Sequence, residues 1–121
     1  KVVLLRGGYN AKLVRNRDDI DIEYEDLRTH RSFTPNLDNF LLSAQLIDLV
    51  SDVIVLSGLC NDSIQGVREH FRSGGSVYVQ SPETSVARTM PLAIINEGCH
   101  SVVSDPESIG KLLQEKYLTA L

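Results

Sequence analysis

The feature that most constrains the fold is a short β-branched run that ends in a polar loop and leads into a helical pattern. Residues 53–56 read V-I-V-L, which is typical of a strand buried on both faces of a parallel sheet. Ser57 and Gly58 end this run, and apolar residues at helical spacing resume at Ile64. We expect this strand to be the central one of the sheet. Because ligands gather at the carboxyl ends of strands in open α/β sheets, Asp62 in the loop is a candidate functional residue.

The residues before this unit predict a β-hairpin and one helix. Residues 12–15 and 20–24 are short strand patterns, and the polar residues 16–19 are the expected turn between them. From Leu37 onward, apolar residues recur at helical spacing on more than one face as far as Leu49. We therefore expect a helix there that is buried over much of its circumference.

The residues after the loop alternate between helical and strand patterns. Helices are expected from Ile64 to the glycine pair at 74–75, over residues 91–96, and after the cap at Asp105. Strands are expected over residues 76–80 and 101–103. This β-α-β-α-β-α order predicts parallel strands joined by right-handed crossovers.

Composition limits the class of protein. At 121 residues the chain is expected to form a single domain, residues 1–121, and its 42% apolar and 23% charged residues exclude general disorder. A net charge of −4 without a Lys/Arg cluster argues against nucleic acid as a partner, and no apolar run is long enough to insert into a membrane. The two cysteines, Cys60 and Cys99, favour reduced thiols and a cytoplasmic location. Since the chain begins at Lys1, we interpret it as a piece of a longer protein.

Two stretches carry a resemblance to a known family. Residues 56–63 read L-S-G-L-C-N-D-S and resemble the L-T-G-M-G-x-D-G loop of CheB-type chemotaxis protein-glutamate methylesterases. Residues 80–94 read Q-S-P-E-T-S-V-A-R-T-M-P-L-A-I and are similar to that family's A-Q-[DN]-E-A-[ST]-[SC]-V-V-x-x-M-P-x-x-A-I. Residues 2–14 and 29–38 resemble its hairpin and its N-R-H-R-P-S-V-D segment.

The resemblance implies both a fold and a partial active site. The fold is α/β: a mostly parallel three-layer sheet with an N-terminal β-hairpin, similar to the carboxyl-terminal half of the CheB methylesterase fold. By position, Asp62 matches the Asp of the family's Ser-His-Asp triad, and Leu59 matches a Met whose backbone N–H lies in the oxyanion hole. The nucleophilic Ser and the triad His belong to a part of the domain that has no counterpart in this chain. Cys60 and Ser63 stand where the family has glycines.

Each candidate residue also has a structural interpretation. Asp62 followed by Gln65 approximates a capping box, so its carboxylate is also explained by an N-cap of the next helix. Cys60 as a nucleophile lacks a supporting G-x-C-x-G pattern, and Ser57 is better explained as a strand-end hydroxyl bonded to local backbone. Cys99 and His100 lack two further metal ligands at a suitable spacing.

Neither a metal nor a cofactor is therefore expected. A separate expectation concerns His70, which lies between a glutamate and a phenylalanine on a helix and is expected at the surface.

Three hypotheses about function follow from these patterns. The first is a part of a methylesterase domain, inactive by itself, whose partner is a methylated chemoreceptor or another signalling protein. The second is a catalytically inactive binding or assembly module, because half of a doubly wound sheet exposes an apolar edge unless a second copy or another protein covers it. The third is a flavodoxin-like domain that binds a phosphorylated metabolite. The absence of a glycine-rich phosphate loop from the sequence argues against this third hypothesis.

Overall fold

The computed structural model describes residues 9–26, 37–59 and 62–118. Predictions that fall on residues 2–8, 29–36 and Cys60 lie outside these ranges. In chain order the described elements are β1 (Tyr9–Asn16), β2 (Asp19–Asp26), α1 (Leu37–Leu46), β3 (Asp52–Val55), α2 (Ile64–Arg72), β4 (Ser76–Gln80), a 3₁₀ turn (Pro82–Thr84), α3 (Thr89–Asn96), β5 (Val102–Ser104) and α4 (Pro106–Leu118).

The three later strands form a parallel sheet in the order β3-β4-β5. This confirms the predicted α/β fold, but among the three described strands of this sheet the strand after residue 52 lies at the edge and not at the centre, contrary to the expectation. The central strand is β4, in which Val77 and Val79 are fully buried and Tyr78 and Gln80 are buried on the opposite face. In β3, at the edge, Ile54 is 43% exposed. A continuous apolar run predicts that a strand is buried, but it does not indicate the position of that strand in the sheet.

The two earlier strands form a separate antiparallel hairpin, as predicted, with longer strands than the pattern indicated. Lys12 lies opposite Glu23, with 3.3 Å between the ammonium nitrogen and a carboxylate oxygen. The loop is only two residues, Arg17 and Asp18, and Arg17 has a φ of 58°. Such positive φ angles match the twist of the paired strands.

Helix α1 packs against both the hairpin and α2. The backbone N–H of Leu13 donates to the Ser43 hydroxyl at 2.8 Å, which joins β1 to the helix. Of its residues only Ser43 and Ala44 are buried, Asn39 and Leu46 are exposed, and the other six are half-buried, so the expected burial around much of the helix is only partial. The helix ends at Leu46, so the apolar residues at 47 and 49 belong to the following loop rather than to the helix.

The hydrophobic core lies between the sheet and helices α2 and α3. Its buried members are Val55, Val67, Val77, Val79, Ile94 and Cys99. Helices α2 and α3 end where the sequence predicts, because Gly74 and Gly98 take φ angles of 92° and 69°. The glycines accept this left-handed backbone without the strain that a side chain would bring.

His70 does not lie at the surface, contrary to the expectation from sequence. It is 7% exposed, and its Nε2 is 3.0 Å from the backbone oxygen of Ser76. Because a carbonyl oxygen only accepts, Nε2 carries the hydrogen. The ring lies directly on Gly75, where any Cβ would come within 2.3 Å of Nε2. The missing Cβ, which a helical pattern cannot reveal, creates the space for the imidazole.

The end of α4 is tied to the start of β3 by a carboxylate. Asp52 accepts hydrogen bonds from the Lys116 ammonium at 2.8 Å and from the Tyr117 hydroxyl. Burial of the Asp52 carboxyl would raise its pKa, but these two hydrogen bonds outweigh burial, so its pKa lies below the ordinary value. None of the described helices is long and apolar enough to cross a membrane.

The contact between α1 and α2 gives a test of this packing. A Cβ at Gly66 of α2 would lie 2.7 Å from the Cβ of Leu41, whereas a Cβ at Gly110 of α4 would meet nothing within 4 Å. We expect Gly66→Ala to lower the free energy of unfolding by about 1–3 kcal/mol, because the two helices must separate. Gly110→Ala should raise it by about 0.5–1 kcal/mol through helix propensity. Urea denaturation measures both, and equal effects at the two glycines would contradict the close approach.

The Asp52 contact predicts a pH dependence of stability. A carboxyl whose pKa is lowered on folding stabilises the fold above its unfolded pKa, and this contribution is lost as the pH falls through the folded pKa. Asp52→Asn should therefore be less stable than the native chain at pH 7, and the difference should shrink below about pH 4. Thermal denaturation at a series of pH values measures it. Glu107→Gln, which removes an exposed pair with Lys111, is the control and should leave the acid profile unchanged.

Candidate active site

The loop between β3 and α2 carries both residues that the family resemblance singles out. Asp62 lies just before α2, next to the helix N-cap Ser63, and Leu59 lies four residues beyond the end of β3. The Leu59 side chain is 77% exposed. The sequence therefore placed this loop correctly at the carboxyl end of a parallel strand. Residues 60–61 between them lie outside the described ranges.

The Asp62 carboxylate has one oxygen that is buried and unpaired. Within the part of the chain that the structure describes, nothing donates a hydrogen bond to Oδ1. The N-cap position of α2 is taken by Ser63, and among the described residues the α2 amide that a side chain caps donates to another residue, so the predicted alternative of an Asp62 cap is not what the structure has. A buried acceptor without a donor costs about 1–3 kcal/mol, so native proteins keep few of them. An unpaired carboxylate at a strand end is what a triad Asp without its histidine presents.

A different aspartate caps α2. The Asp38 carboxylate, at the start of α1, accepts from the Gly66 N–H at 2.6 Å, and the Asp38 N–H donates to the Asp62 carbonyl oxygen at 3.2 Å. The amino ends of two helices are thereby tied together across the loop. Since the cap comes from 28 residues away, no local capping pattern in the sequence could reveal it.

Ser63 fits the loop without backbone strain. Its φ is −102°, a value that any residue adopts, so the glycine of the family loop is not required at this position. The Ser63 hydroxyl is buried and has no partner among the described residues. The change from glycine to serine therefore adds a buried polar group beside Asp62 while leaving the backbone conformation ordinary.

The second residue beyond β3, Ser57, is fixed by the neighbouring loop. The Ser57 N–H donates to the side-chain oxygen Oε1 of Gln80 at 2.8 Å. The Ser57 hydroxyl accepts from the Ala87 N–H at 2.8 Å and donates to the Ala87 carbonyl oxygen at 3.2 Å. The expectation that this hydroxyl bonds to backbone is confirmed, but its partner lies 30 residues away and is not local. Because both bonds occupy the hydroxyl, Ser57 is not presented as a nucleophile.

The next peptide is held in the same way. The Gly58 N–H donates to the Ala87 carbonyl oxygen, and the Gly58 carbonyl oxygen accepts from the Met90 N–H, each at 3.0 Å. Met90 belongs to the first turn of α3, whose amides have no partner inside the helix. The sequence included Gln80 and Met90 in the family motif but gave no indication of these contacts.

The described histidines and cysteine do not complete a catalytic group. His70 is bonded to the Ser76 backbone, and the Cys99 thiol is buried, with its Sγ 3.6 Å from the Glu97 carbonyl oxygen. His100 has a buried Nδ1 without a partner in the described ranges. Within those ranges no three His, Cys, Asp or Glu side chains lie close enough to hold a metal ion.

A cavity of about 750 Å³ lies away from the Asp62 loop. It is bounded by residues 48–51 between α1 and β3 and by residues 72–75 at the end of α2, and neither Asp62 nor Leu59 lines it. These segments precede β3 and β4, so the cavity opens at the amino ends of the strands. Chemistry in open α/β sheets belongs to the opposite ends, which favours the Asp62 loop as the site.

Comparison with known proteins gives a consistent result. A sequence model of the CheB methylesterase family matches residues 1–113. The "Protein-glutamate methylesterase/protein-glutamine glutaminase of group 2 operon" from Bradyrhizobium diazoefficiens is 29% identical over 113 residues, which are 91% of this chain and 28% of that protein. A protein-glutamate methylesterase/protein-glutamine glutaminase from Bacillus licheniformis is 26% identical over 110 residues, 89% of this chain and 31% of the relative. This chain belongs to the CheB methylesterase family.

The fold of a solved relative agrees with that of this chain. The crystal structure of the Thermotoga maritima CheB methylesterase catalytic domain superposes with a TM-score of 0.78 at 24% sequence identity. The match covers 90% of this chain and 58% of that chain. The chain spans less than a third of the length of the two curated relatives described above. The predicted similarity to the CheB methylesterase fold is therefore confirmed.

Proposed function

We propose that this chain forms the carboxyl-terminal part of a protein-glutamate methylesterase catalytic domain. In this proposal Asp62 is the acidic member of a Ser-His-Asp triad, and the Leu59 backbone N–H is a donor of the oxyanion hole. The observation that carries it is the buried, unpaired Oδ1 of Asp62 at the carboxyl end of β3. The family membership of the chain supports the reaction class, and the names of its relatives supply the substrates, a glutamate methyl ester or a glutamine side chain.

The chemistry requires two further groups. A serine hydroxyl attacks the ester carbonyl while a histidine takes its proton, and the same histidine then protonates the departing methoxide. Water hydrolyses the resulting acyl-enzyme and releases the glutamate carboxylate. Throughout, Asp62 accepts a hydrogen bond from the imidazole and stabilises its protonated form, and the Leu59 N–H binds the oxyanion of each tetrahedral intermediate.

The isolated 121 residues are not expected to hydrolyse esters. Among the described residues, the Ser57 hydroxyl is already hydrogen-bonded to the Ala87 backbone, and the His70 Nε2 is already hydrogen-bonded to the Ser76 carbonyl oxygen. Neither contact resembles a serine activated by a histidine. In the proposal, the nucleophile and the base come from the part of the catalytic domain that the relatives have and this chain does not match.

Asp62→Asn tests the catalytic proposal. In the polypeptide that carries this chain, as its gene encodes it, the substitution should lower kcat for methanol release from a glutamate-methylated receptor peptide by about 10⁴-fold. An asparagine amide fills the same volume but offers an N–H where the imidazole N–H needs an acceptor. Asp19→Asn on the exposed hairpin is the control and should leave kcat unchanged. A native polypeptide that hydrolyses the ester equally well with Asn at position 62 would contradict the role of Asp62.

A second function, a catalytically inactive binding or assembly module, is favoured by the edge of the sheet. Within the described ranges β3 pairs with β4 alone, so its other edge has no strand beside it. Ile54 in β3 is 43% exposed, and Leu56 just beyond it is 50% exposed. Exposed apolar side chains beside an unpaired strand edge attract another chain. In this proposal the edge joins two copies of the chain, and the assembly recognises a methylated chemoreceptor or another signalling protein.

Sedimentation velocity over a concentration series tests this association. The native 121-residue chain should shift from monomer to dimer with rising concentration, and Ile54→Lys should keep it monomeric, because a charged edge strand opposes pairing. Leu92→Lys on α3 is the control, since Leu92 is 41% exposed but belongs to a helix and not to a strand edge. A native chain that stays monomeric at every concentration would eliminate the homodimer.

A further inference from the structure

The geometry points to Gln80 and Ser57 as positioning residues of the proposed oxyanion hole, which hold the peptide that carries the Leu59 N–H. This inference rests on the proposed function of Leu59. Neither side chain is required to touch the substrate. Their effect is to fix the backbone of residues 57–58, on which the direction of that N–H depends.

The Gln80 side chain takes the place of a backbone hydrogen bond at the point where β3 and β4 separate. The last pair of the ladder is Val55 and Val79, and beyond it the chain after β4 turns to β5, with the Ser81 N–H donating to the Ser104 carbonyl oxygen at 2.8 Å. The Ser57 N–H therefore has no carbonyl from β4 and donates instead to the Gln80 Oε1. The side chain of Gln80 extends the sheet by one further hydrogen bond.

The Gln80 amide is itself held in place. Its Nε2 donates to the Thr84 carbonyl oxygen at 3.0 Å, in the 3₁₀ turn that follows β4. The residue is 7% exposed, so water does not compete with these bonds. Because one end of the amide only accepts and the other only donates, both contacts require glutamine. Gln80 thus joins the β3–α2 loop to the β4–α3 loop.

Ser57 makes the second connection between the same two loops. Its hydroxyl bonds to both the N–H and the carbonyl oxygen of Ala87, and the following Gly58 N–H also donates to that carbonyl oxygen. Five hydrogen bonds therefore hold residues 57–58: one from the Ser57 N–H, two at its hydroxyl, one from the Gly58 N–H and one from Met90 to the Gly58 carbonyl oxygen. Removal of either side chain leaves the loop attached at fewer points.

The planarity of the peptide bond carries this constraint to Leu59. The Gly58 carbonyl oxygen accepts from the Met90 N–H at 3.0 Å, which orients the peptide between Gly58 and Leu59. In a planar trans peptide the N–H points opposite to the carbonyl oxygen, so the Leu59 N–H is directed away from the first turn of α3. Among the described residues it makes no backbone hydrogen bond.

An oxyanion donor is effective only when its direction is set before the charge develops. Removing such a donor lowers kcat by about 10²–10³-fold, because the oxyanion exists in the transition state and not in the bound ester. Looser attachment of the Gly58–Leu59 peptide should therefore lower kcat while leaving KM nearly unchanged. A residue that only stabilised the fold would have no such selective effect on kcat.

Four variants test the inference in two kinds of measurement. Gln80→Met keeps the length of the side chain but removes its hydrogen bonds to Ser57 and Thr84, and Ser57→Ala removes the hydroxyl. Ser57→Thr restores a hydroxyl and is the conservative rescue. Ser73→Ala, at the distant end of α2, removes a hydroxyl that likewise bonds to backbone, that of His70, and is the matched control. Amide hydrogen exchange is measured on the 121-residue chain, and kcat and KM are measured on the gene-encoded polypeptide.

We expect the Gly58 amide hydrogen to exchange at least about tenfold faster in Gln80→Met and Ser57→Ala than in the native chain. The exchange rates of the core amides of β4 should be unchanged. The same two variants should lower kcat by about tenfold or more, with KM changed by less than about twofold. Ser57→Thr should restore both quantities, and Ser73→Ala should alter neither.

Three outcomes would overturn the inference. The first is exchange at Gly58 and kcat that both stay within about twofold of the native values in Gln80→Met and Ser57→Ala. The second is a loss of kcat that Ser73→Ala reproduces, since that shows a general effect of hydroxyl removal. The third is that Gln80→Met and Ser57→Ala do speed exchange at Gly58, but the native gene-encoded polypeptide hydrolyses no ester. That last result contradicts the proposed function and with it the oxyanion role, while the anchoring of the loop by Gln80 and Ser57 stands.

Discussion

The structure at the carboxyl end of β3 depends on side chains that replace a missing strand ladder. Once β3 and β4 separate after Val55, the described part of the β3–α2 loop has no strand among the described residues with which to pair. Buried or partly buried amides must still find acceptors, because each one left unpaired costs as much as a lost hydrogen bond. Gln80 supplies an acceptor for Ser57, and Asp38 supplies one for Gly66 at the other end of the loop. Against this background two buried side-chain groups at the end of the loop stand out, the Oδ1 of Asp62 and the Ser63 hydroxyl, since neither has a hydrogen-bond partner among the described residues.

Local chemistry allowed much of the fold to be predicted from the sequence. The limits of β4, the ends of α2 and α3 at Gly74 and Gly98, and the cap of α4 by Asp105 all depend on residues within a few positions of each other. The burial of His70 depends instead on the close approach of Gly75, and the edge position of β3 depends on the order of strands. Periodicity describes one element at a time and therefore contains neither fact.

In the candidate site, too, some features were predicted from the sequence and others were not. The family resemblance led to Asp62 and Leu59, and the structure places both on one loop at the end of a parallel strand. The residues that support this loop act across 23 to 30 positions of sequence: Gln80 on Ser57, Asp38 on Gly66, and Ser57 on Ala87. A glutamine at the end of a strand or an aspartate at the start of a helix has many explanations in a single sequence. Only the assembled loop shows which atoms they bond.

Two unsatisfied features of the described residues lie along the same strand and its loop. One is apolar, the exposed side chains of Ile54 and Leu56 at the edge of the described sheet, and the other is polar, the buried Oδ1 of Asp62 with the unpaired Ser63 hydroxyl beside it. Each requires a different kind of partner: the edge requires a strand or apolar surface, and the carboxylate requires an N–H donor. A self-associating module would cover the edge but would leave the carboxylate unpaired unless the second copy also supplied a donor. A further part of the catalytic domain that pairs with β3 and brings a histidine to Asp62 would satisfy both, which is why we rank the catalytic proposal first.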